Sequence, residues 1–263
     1  MDYLNVILLG VIEGITEFLP ISSTGHLIIA EHWLGARSET FNVVIQAGAI
    51  LAVVLIYWRD ILALLTGWRA PAERAYLLKL VAAFVITGIL GLIAKKMGFV
   101  LPTAIAPVAW ALIIGGIWMI GAEAVAARLP DRKEVTWRVA ILVGLAQIVA
   151  GIFPGTSRSA TTIFVAMVAG TSNRPAATEF AFLLAIPTMF AASGYELYSQ
   201  MKHGTAEFAW GDLALGFVVS TLVAFIAVKW LLGYIRSHRF TAFAIYRILF
   251  GAALLGLASA GLL

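Results

Sequence analysis

Glu13-Gly14-Ile15-Thr16-Glu17-Phe18-Leu19-Pro20-Ile21-Ser22-Ser23-Thr24-Gly25-His26 interrupts the middle of an apolar segment that runs from residue 3 to residue 34. Proline removes a backbone donor and clashes with the turn before it, so 3–34 does not read as one helix. The same thing happens between 138 and 170, at Pro154-Gly155-Thr156-Ser157-Arg158-Ser159-Ala160-Thr161-Thr162. Each segment reads as a helix–break–helix hairpin that enters and leaves the bilayer on one side. Irregular backbone at membrane depth is tolerated only where protein or water covers it.

The rest of the chain supports the membrane setting. It is 62% hydrophobic and 12% charged, about half the charge that a soluble domain carries. Apolar runs of the roughly 20 residues needed to cross a hydrocarbon core recur at about 39–58, 75–95, 104–126, 176–200, 211–232 and 240–262. Runs such as Phe41 to Trp58 and Leu213 to Val228 are almost continuously apolar, which excludes the alternating pattern of a β-barrel. Asp2 and the lack of a basic flank before the first apolar stretch argue against a cleaved signal. The chain has no cysteine, which excludes disulfides, thiolate metal sites and thiol nucleophiles.

The net charge of +4 is dispersed between apolar runs, in the manner of cytoplasmic loops and not of a nucleic-acid surface. Placing 59–79, 127–138, 171–175 and 229–239 in the cytoplasm puts twelve Lys and Arg inside and leaves Arg37, Lys95, Lys96 and Lys202 outside. Both termini then face outward. Membrane lipid is the expected neighbour, and Trp33, Trp58, Trp68, Trp137, Trp210 and Trp230 fall near span ends as interfacial aromatics do.

Shifting the chain by 134 residues lays Gly10 on Gly144, Glu13 on Gln147, Pro20 on Pro154 and Ser23 on Ser157. The expected architecture is therefore all-α and polytopic: a single membrane domain over 1–263 with six full spans and two re-entrant hairpins. Repeat one (1–126) holds the hairpin 3–34 and three spans; repeat two (137–263) holds the hairpin 138–170 and three more. An odd number of crossings per unit inverts the second unit, so half-helices beginning within 21–28 and 155–162 point their N-termini at one midplane volume. Unpaired N–H groups and positive dipole ends at such a place attract anions.

Ionisable groups are costly at this depth and cluster at the two breaks. Glu13 and Glu17 at i,i+4 share a helix face, where two ionised carboxylates repel. One must be protonated, paired with Arg158 or neutralised by a divalent cation. His26 with Ser23 three residues before it resembles a base and a nucleophile. Arg158 presents a planar donor fork suited to phosphate oxygens. Ser22, Thr24, Ser157, Ser159 and Thr162 are further candidates for phosphate contacts, although serines at a break also cap helices. Arg247 beside Tyr246 reads as structural, pairing with a carboxylate such as Glu179 or Glu13. No nucleotide-binding glycine loop or zinc-protease spacing is present. A Ser/His intramembrane protease would leave Arg158 and the paired glutamates without a task.

At Glu13–His26 and Pro154–Ser159 the sequence resembles the undecaprenyl-diphosphate phosphatase family, also called the bacitracin-resistance protein family. Glu179-Phe180-Ala181-Phe182-Leu183-Leu184-Ala185-Ile186-Pro187 and Phe243-Ala244-Ile245-Tyr246-Arg247 extend the resemblance over nearly the whole chain. It implies an active site of Glu13, Glu17, Ser23, His26, Ser157, Arg158 and Thr162, in re-entrant hairpins of an inverted repeat. It also implies a bacterial inner-membrane enzyme open to the periplasm that converts undecaprenyl diphosphate to the monophosphate for cell-wall synthesis. Ala160 departs from the family pattern, which places Gly after Ser-Arg-Ser. A methyl there would narrow the pocket or strain a turn of positive φ.

The expected mechanism has Arg158 and the half-helix N-termini holding the diphosphate while Ser23 or water attacks the terminal phosphorus. His26 serves as base, and Glu13 and Glu17 orient it or hold a divalent cation such as Mg or Ca; no organic cofactor is expected. The rival reading is a transporter or flippase of a lipid phosphate or another anion, since inverted repeats with broken helices are a common transporter architecture.

Overall fold

The structure, a computed structural model, describes residues 3–98, 104–203 and 209–262. Among them are helices and no strand: α1 (Tyr3–Thr16), α2 (Ser23–Leu34), α3 (Glu39–Ile56), α4 (Trp58–Thr66), α5 (Pro71–Lys96), α6 (Ile105–Ala126), α7 (Trp137–Ile152), α8 (Arg158–Ala169), α9 (Arg174–His203), α10 (Trp210–Tyr234) and α11 (Thr241–Ser259). Six of these, α3, α5, α6, α9, α10 and α11, are long and apolar enough to cross a membrane. Each matches an expected span to within four residues at either end. The chain is a multi-pass membrane protein.

The segment 59–79 is not one loop. It holds α4 and the first two turns of α5, whose Pro71 occupies the first helical turn, where its missing N–H costs nothing. Helix α4 buries none of its residues and exposes Trp58, Leu62 and Leu65, the pattern of a helix lying in a membrane interface. Nine residues flanked by arginines carry too short an amphipathic period to be told from a loop in the sequence.

In lipid there is little hydrophobic force between helices, so close approach and hydrogen bonds hold them. Helix α3 meets α10 where a Cβ on Gly48 would lie 2.5 Å from the Phe217 carbonyl oxygen. Thr221 donates to the Gly48 carbonyl (3.0 Å) and Ser220 to that of Ile45 (2.7 Å). Helix α6 meets α11 reciprocally. A Cβ on Gly116 would lie 2.7 Å from the Ala244 carbonyl oxygen, and one on Gly251 would lie 2.7 Å from that of Ala109.

The two interrupted segments pack crosswise, α1 against α10 and α7 against α5. Gln147 of α7 donates to Thr87 of α5 (2.9 Å), whose hydroxyl reaches the Gly144 carbonyl (2.9 Å). At the far end of α6, Glu123 forms an ion pair with Arg174 and accepts the Phe240 N–H (3.3 Å). Helix α9 runs through Pro187 without ending; Thr188 turns its hydroxyl back onto the Leu184 carbonyl (2.9 Å).

Candidate active site

Both breaks are built the same way. Ser22 (φ 73, ψ 100) and Ser157 (φ 68, ψ 117) are the only non-glycine residues of positive φ among those described. Each caps a 12-residue half-helix: Ser22 Oγ accepts the Gly25 N–H (3.4 Å) and Ser157 Oγ accepts the Ala160 N–H (3.3 Å). The half-helices thus begin at Ser23 and Arg158, and the backbone pairs Ser22, not Ser23, with Ser157. Holding a serine in this region costs about 1–3 kcal/mol, and such strain gathers at functional sites.

Ala160 lies inside α8 at ordinary helical φ and is buried, so its methyl strains no turn. The positive φ values near it belong to Ser157 and to Gly155 (φ 94), where a Cβ would lie 2.6 Å from the Val108 carbonyl oxygen.

The first break brings a hydroxyl to a carboxylate. Ser23 donates to Glu17 Oε2, and Gln46 of α3 approaches Oε1 of the same group (3.5 Å). Glu13, one turn back, is buried and within electrostatic reach of Glu17 and Arg158, and its Oε2 has no hydrogen-bond partner. The second break supplies the cation. Arg158 is half-buried, its side chain makes no hydrogen bond or ion pair among the described residues, and it shares a pocket with Glu17, Phe18, Ser159 and Thr162. Ser159 donates to the Leu19 carbonyl (3.1 Å), which ties the start of α8 to the first break.

A second cavity of about 210 Å³ lies between α2 and α3, lined by Glu13, Ser23, Thr24, Leu27, Ile28, Glu31, Asn42, Val43 and Gln46. Arg158 and Glu17 thus line one pocket and Glu13 and Ser23 the other, with the Ser23–Glu17 hydrogen bond between them.

The expected pairing of Ser23 with His26 is not formed. His26 Nδ1–H donates to the Ser22 carbonyl (2.7 Å), since a carbonyl only accepts, and Nε2 lies 2.7 Å from the Tyr246 hydroxyl. The ring stacks on Phe250 at 4.4 Å between centroids. Nor does Arg247 find a carboxylate. Glu179 is exposed on α9, and the Arg247 guanidinium reaches the carbonyls of Pro20 (3.4 Å), Gly155 (2.9 Å) and Ala111 (3.3 Å). Thr162 turns its hydroxyl onto the Arg158 carbonyl (2.8 Å), so its reach into the pocket is small. Thr24 is exposed on the wall of the larger cavity.

Gln46, Asn42 and Glu31 belong to the site although the sequence reading passed over them. Asn42 and Gln46 stand one turn apart in an otherwise apolar span, and Glu31 lies seven residues after Thr24 on one face of α2. Isolated polar groups at helical spacing in a span were the available signal.

The donor set suits a hard cation. An unpartnered, buried Glu13 oxygen beside the Glu17 carboxylate and neutral oxygens of Ser23 and Gln46 is the oxygen-only environment that Mg or Ca takes. Among the described residues no three His, Asp or Glu side chains converge on one point, so carboxylates alone do not complete such a site.

Residues 6–253 match the family described as "Bacitracin resistance protein BacA". The chain is similar to the undecaprenyl-diphosphatase of Rhizobium etli (strain CIAT 652), 70% identical over 264 residues and covering all of both chains. It is also similar to that of Xanthomonas axonopodis pv. citri (strain 306), 58% identical over 257 residues, 97% of this chain and 96% of the other. A match spanning both breaks and all six apolar helices leaves no part of the site outside it: the chain belongs to the bacitracin resistance protein BacA family.

Proposed function

We propose that this protein hydrolyses undecaprenyl diphosphate to the monophosphate and inorganic phosphate, returning the cell-wall lipid carrier to use and conferring the bacitracin resistance in the family's name. The observation that carries the reading is the meeting of Arg158 from one break with the Ser23–Glu17 pair of the other. An anionic phosphate ester employs both; a purely apolar or neutral substrate employs neither.

Arg158 and the N–H groups opening α2 and α8 hold the diphosphate, with Ser22, Thr24, Ser157 and Ser159 around it and Thr162 behind. Ser23 Oγ attacks the terminal phosphorus as its proton passes to Glu17, and the bond to the bridging oxygen breaks to release polyprenyl phosphate. Glu17 hands that proton to the departing polyprenyl phosphate; it then takes a proton from the water that attacks the phosphoserine and returns it to Ser23 Oγ as inorganic phosphate leaves. His26, held by Ser22 and Tyr246, orients the first turn of α2. Glu13 and Glu17 would hold a divalent cation, which would offset charge on the phosphoryl oxygens. Gln46 keeps Glu17 turned towards Ser23.

In the same reading, 3–34 and 138–170 are re-entrant hairpins of an inverted repeat. Reciprocal contacts support it: Gly116 to Ala244 and Gly251 to Ala109 exchange partners 135 positions apart. The crosswise packing of α1 on α10 and α7 on α5 supports it too. The loop charge count orients the protein in the inner membrane with the α2–α3 cavity on the periplasmic side. Cysteine reporters at 70 and 133 should be labelled from the cytoplasm. Those at 99 and 204, which lie outside the described residues, should be labelled from the other face.

The test of function is phosphate release by purified protein from a polyprenyl diphosphate in detergent. One phosphate per lipid is expected. Movement of labelled lipid between leaflets without phosphate release would replace this reading with a transporter.

A further inference from the structure

The most deeply buried charge among the described residues takes no part in the proposed hydrolysis. Arg247, in the middle of α11, is fully buried, and its guanidinium contacts no acidic group. Among the described residues the ion pairs are Arg37 with Asp212 and Arg174 with Glu123, both elsewhere. A charge placed at this depth without a counter-ion is expensive and marks function more often than stability.

Its hydrogen bonds say what it does. Nη1 donates to the Pro20 carbonyl (3.4 Å) in the first break and Nη2 to the Gly155 carbonyl (2.9 Å) in the second. A third bond, to the Ala111 carbonyl (3.3 Å), anchors the fork on α6, and the Met119 sulfur lies 3.7 Å from Nη1. Room for the guanidinium exists because residue 115 is glycine: a Cβ there would overlap Nη2. Pro20 stands two residues before Ser22, and Gly155 two before Ser157, so one planar group joins the two turns of positive φ.

We propose that Arg247 is a positioning residue for phosphate transfer: it fixes the distance between the break carrying Ser23 and Glu17 and the break carrying Arg158, and it sets an uncompensated positive charge behind both. This rests on the phosphatase reading. The nucleophile and the phosphate-holding cation belong to different halves of the chain, and only a group touching both halves can hold them in register. The planar fork is what lysine lacks. The charge adds to the positive ends of α2 and α8, both of which face the same anion.

Three variants test it: Arg247→Lys, Arg247→Met and Gly115→Ala, the last of which keeps the arginine but crowds its guanidinium. Each is purified in detergent, its melting temperature and monodispersity are measured, and kcat and KM are determined for a polyprenyl diphosphate. Misplacement of reacting groups by about 1 Å costs roughly 100-fold in rate. Accordingly kcat should fall roughly 100-fold in Arg247→Met and roughly 10-fold in Arg247→Lys and Gly115→Ala. KM should stay within about threefold, because Arg247 touches no substrate atom. Folded variants with kcat within about twofold of the parent protein overturn the proposal, as does a loss that appears in KM alone. If all three fail to give folded protein, Arg247 is a structural residue and the proposal fails as well. A parent protein that releases no phosphate would instead overturn the phosphatase reading.

Discussion

The break before α2 and the break before α8 share a backbone device and differ in the side chains they carry. Both have a proline, a serine at positive φ and a 12-residue half-helix capped by that serine. Yet Glu13 and Glu17 in the first segment correspond to Gln147 and Gly151 in the second, and the first residue of α8 is Arg158 where α2 opens with Ser23. Their surroundings differ too. Helix α8 is buried along most of its length in the core, whereas α2 buries only Ser23 and Gly25 and forms the wall of the α2–α3 cavity. On the proposed reading one break anchors a cation, and the other lines the cavity that would admit substrate and water.

The largest effect should come from the first break. Glu17→Gln and Ser23→Ala should each lower kcat by roughly 10³- to 10⁴-fold, within or near the range of positioned acid–base and nucleophilic groups. Because their side chains share a hydrogen bond, the double variant should be little worse than either single one. Free-energy additivity in that cycle would separate Ser23 from Glu17 and leave Ser23 as a helix-opening residue only. His26, which acts through the first turn of α2, should cost less alone and add little once Ser23 is gone.

Arg158→Lys comes next, with kcat lower by about 100-fold, because lysine keeps the charge but not the bidentate fork. The variant should fold normally, since no protein group depends on the Arg158 side chain. Near-parental turnover would remove the second break from phosphate binding and leave the comparison with one functional side.

Gln147→Glu asks whether the second break tolerates what the first one uses. Gln147 is buried and donates to Thr87, and a carboxylate there loses its donor and faces no cation. Stability should fall by about 1–3 kcal/mol, read as a lower melting temperature, with turnover per folded molecule within about twofold. Changed turnover at unchanged stability would mean that the two breaks are chemically coupled at this position.

The smallest effects are expected at the caps. Ser22→Gly and Ser157→Gly each give up a side-chain cap and relieve a positive φ, so the net change in stability should be about 1 kcal/mol or less at both. Unequal responses would show that the matching backbone angles conceal different loads.

Hydrophobic run length made the six spans legible, and Pro20 and Pro154 made the breaks legible, because both signals act over single segments. Helix α4 was not, since nine residues flanked by arginine read as loop until their exposed apolar side appears in three dimensions. Most of the polar residues that line the two pockets could be found from the cost of placing polar groups in lipid. Their pairing could not. The reading joined Ser23 to His26 by three-residue spacing, but the break turns Ser23 towards Glu17, and Tyr246, some 220 positions away, takes up the imidazole. Arg247 was misassigned for a related reason: sequence suggests a carboxylate for every buried cation, while here backbone carbonyls freed by the two breaks accept its hydrogen bonds.

The reciprocal approach of α6 and α11 has a consequence for inheritance. Gly116 faces the backbone at Ala244 with Ile248 against it, and Gly251 faces the backbone at Ala109 with Ile113 against it. The contact has the form of an isologous subunit interface folded into one chain. Damage to one half therefore cannot be repaired within that half. In Gly116→Ala or Gly251→Ala, a suppressor that trims Ile248 or Ile113 on the opposite helix should recover function only in part, because the clash with that helix's carbonyl oxygen remains.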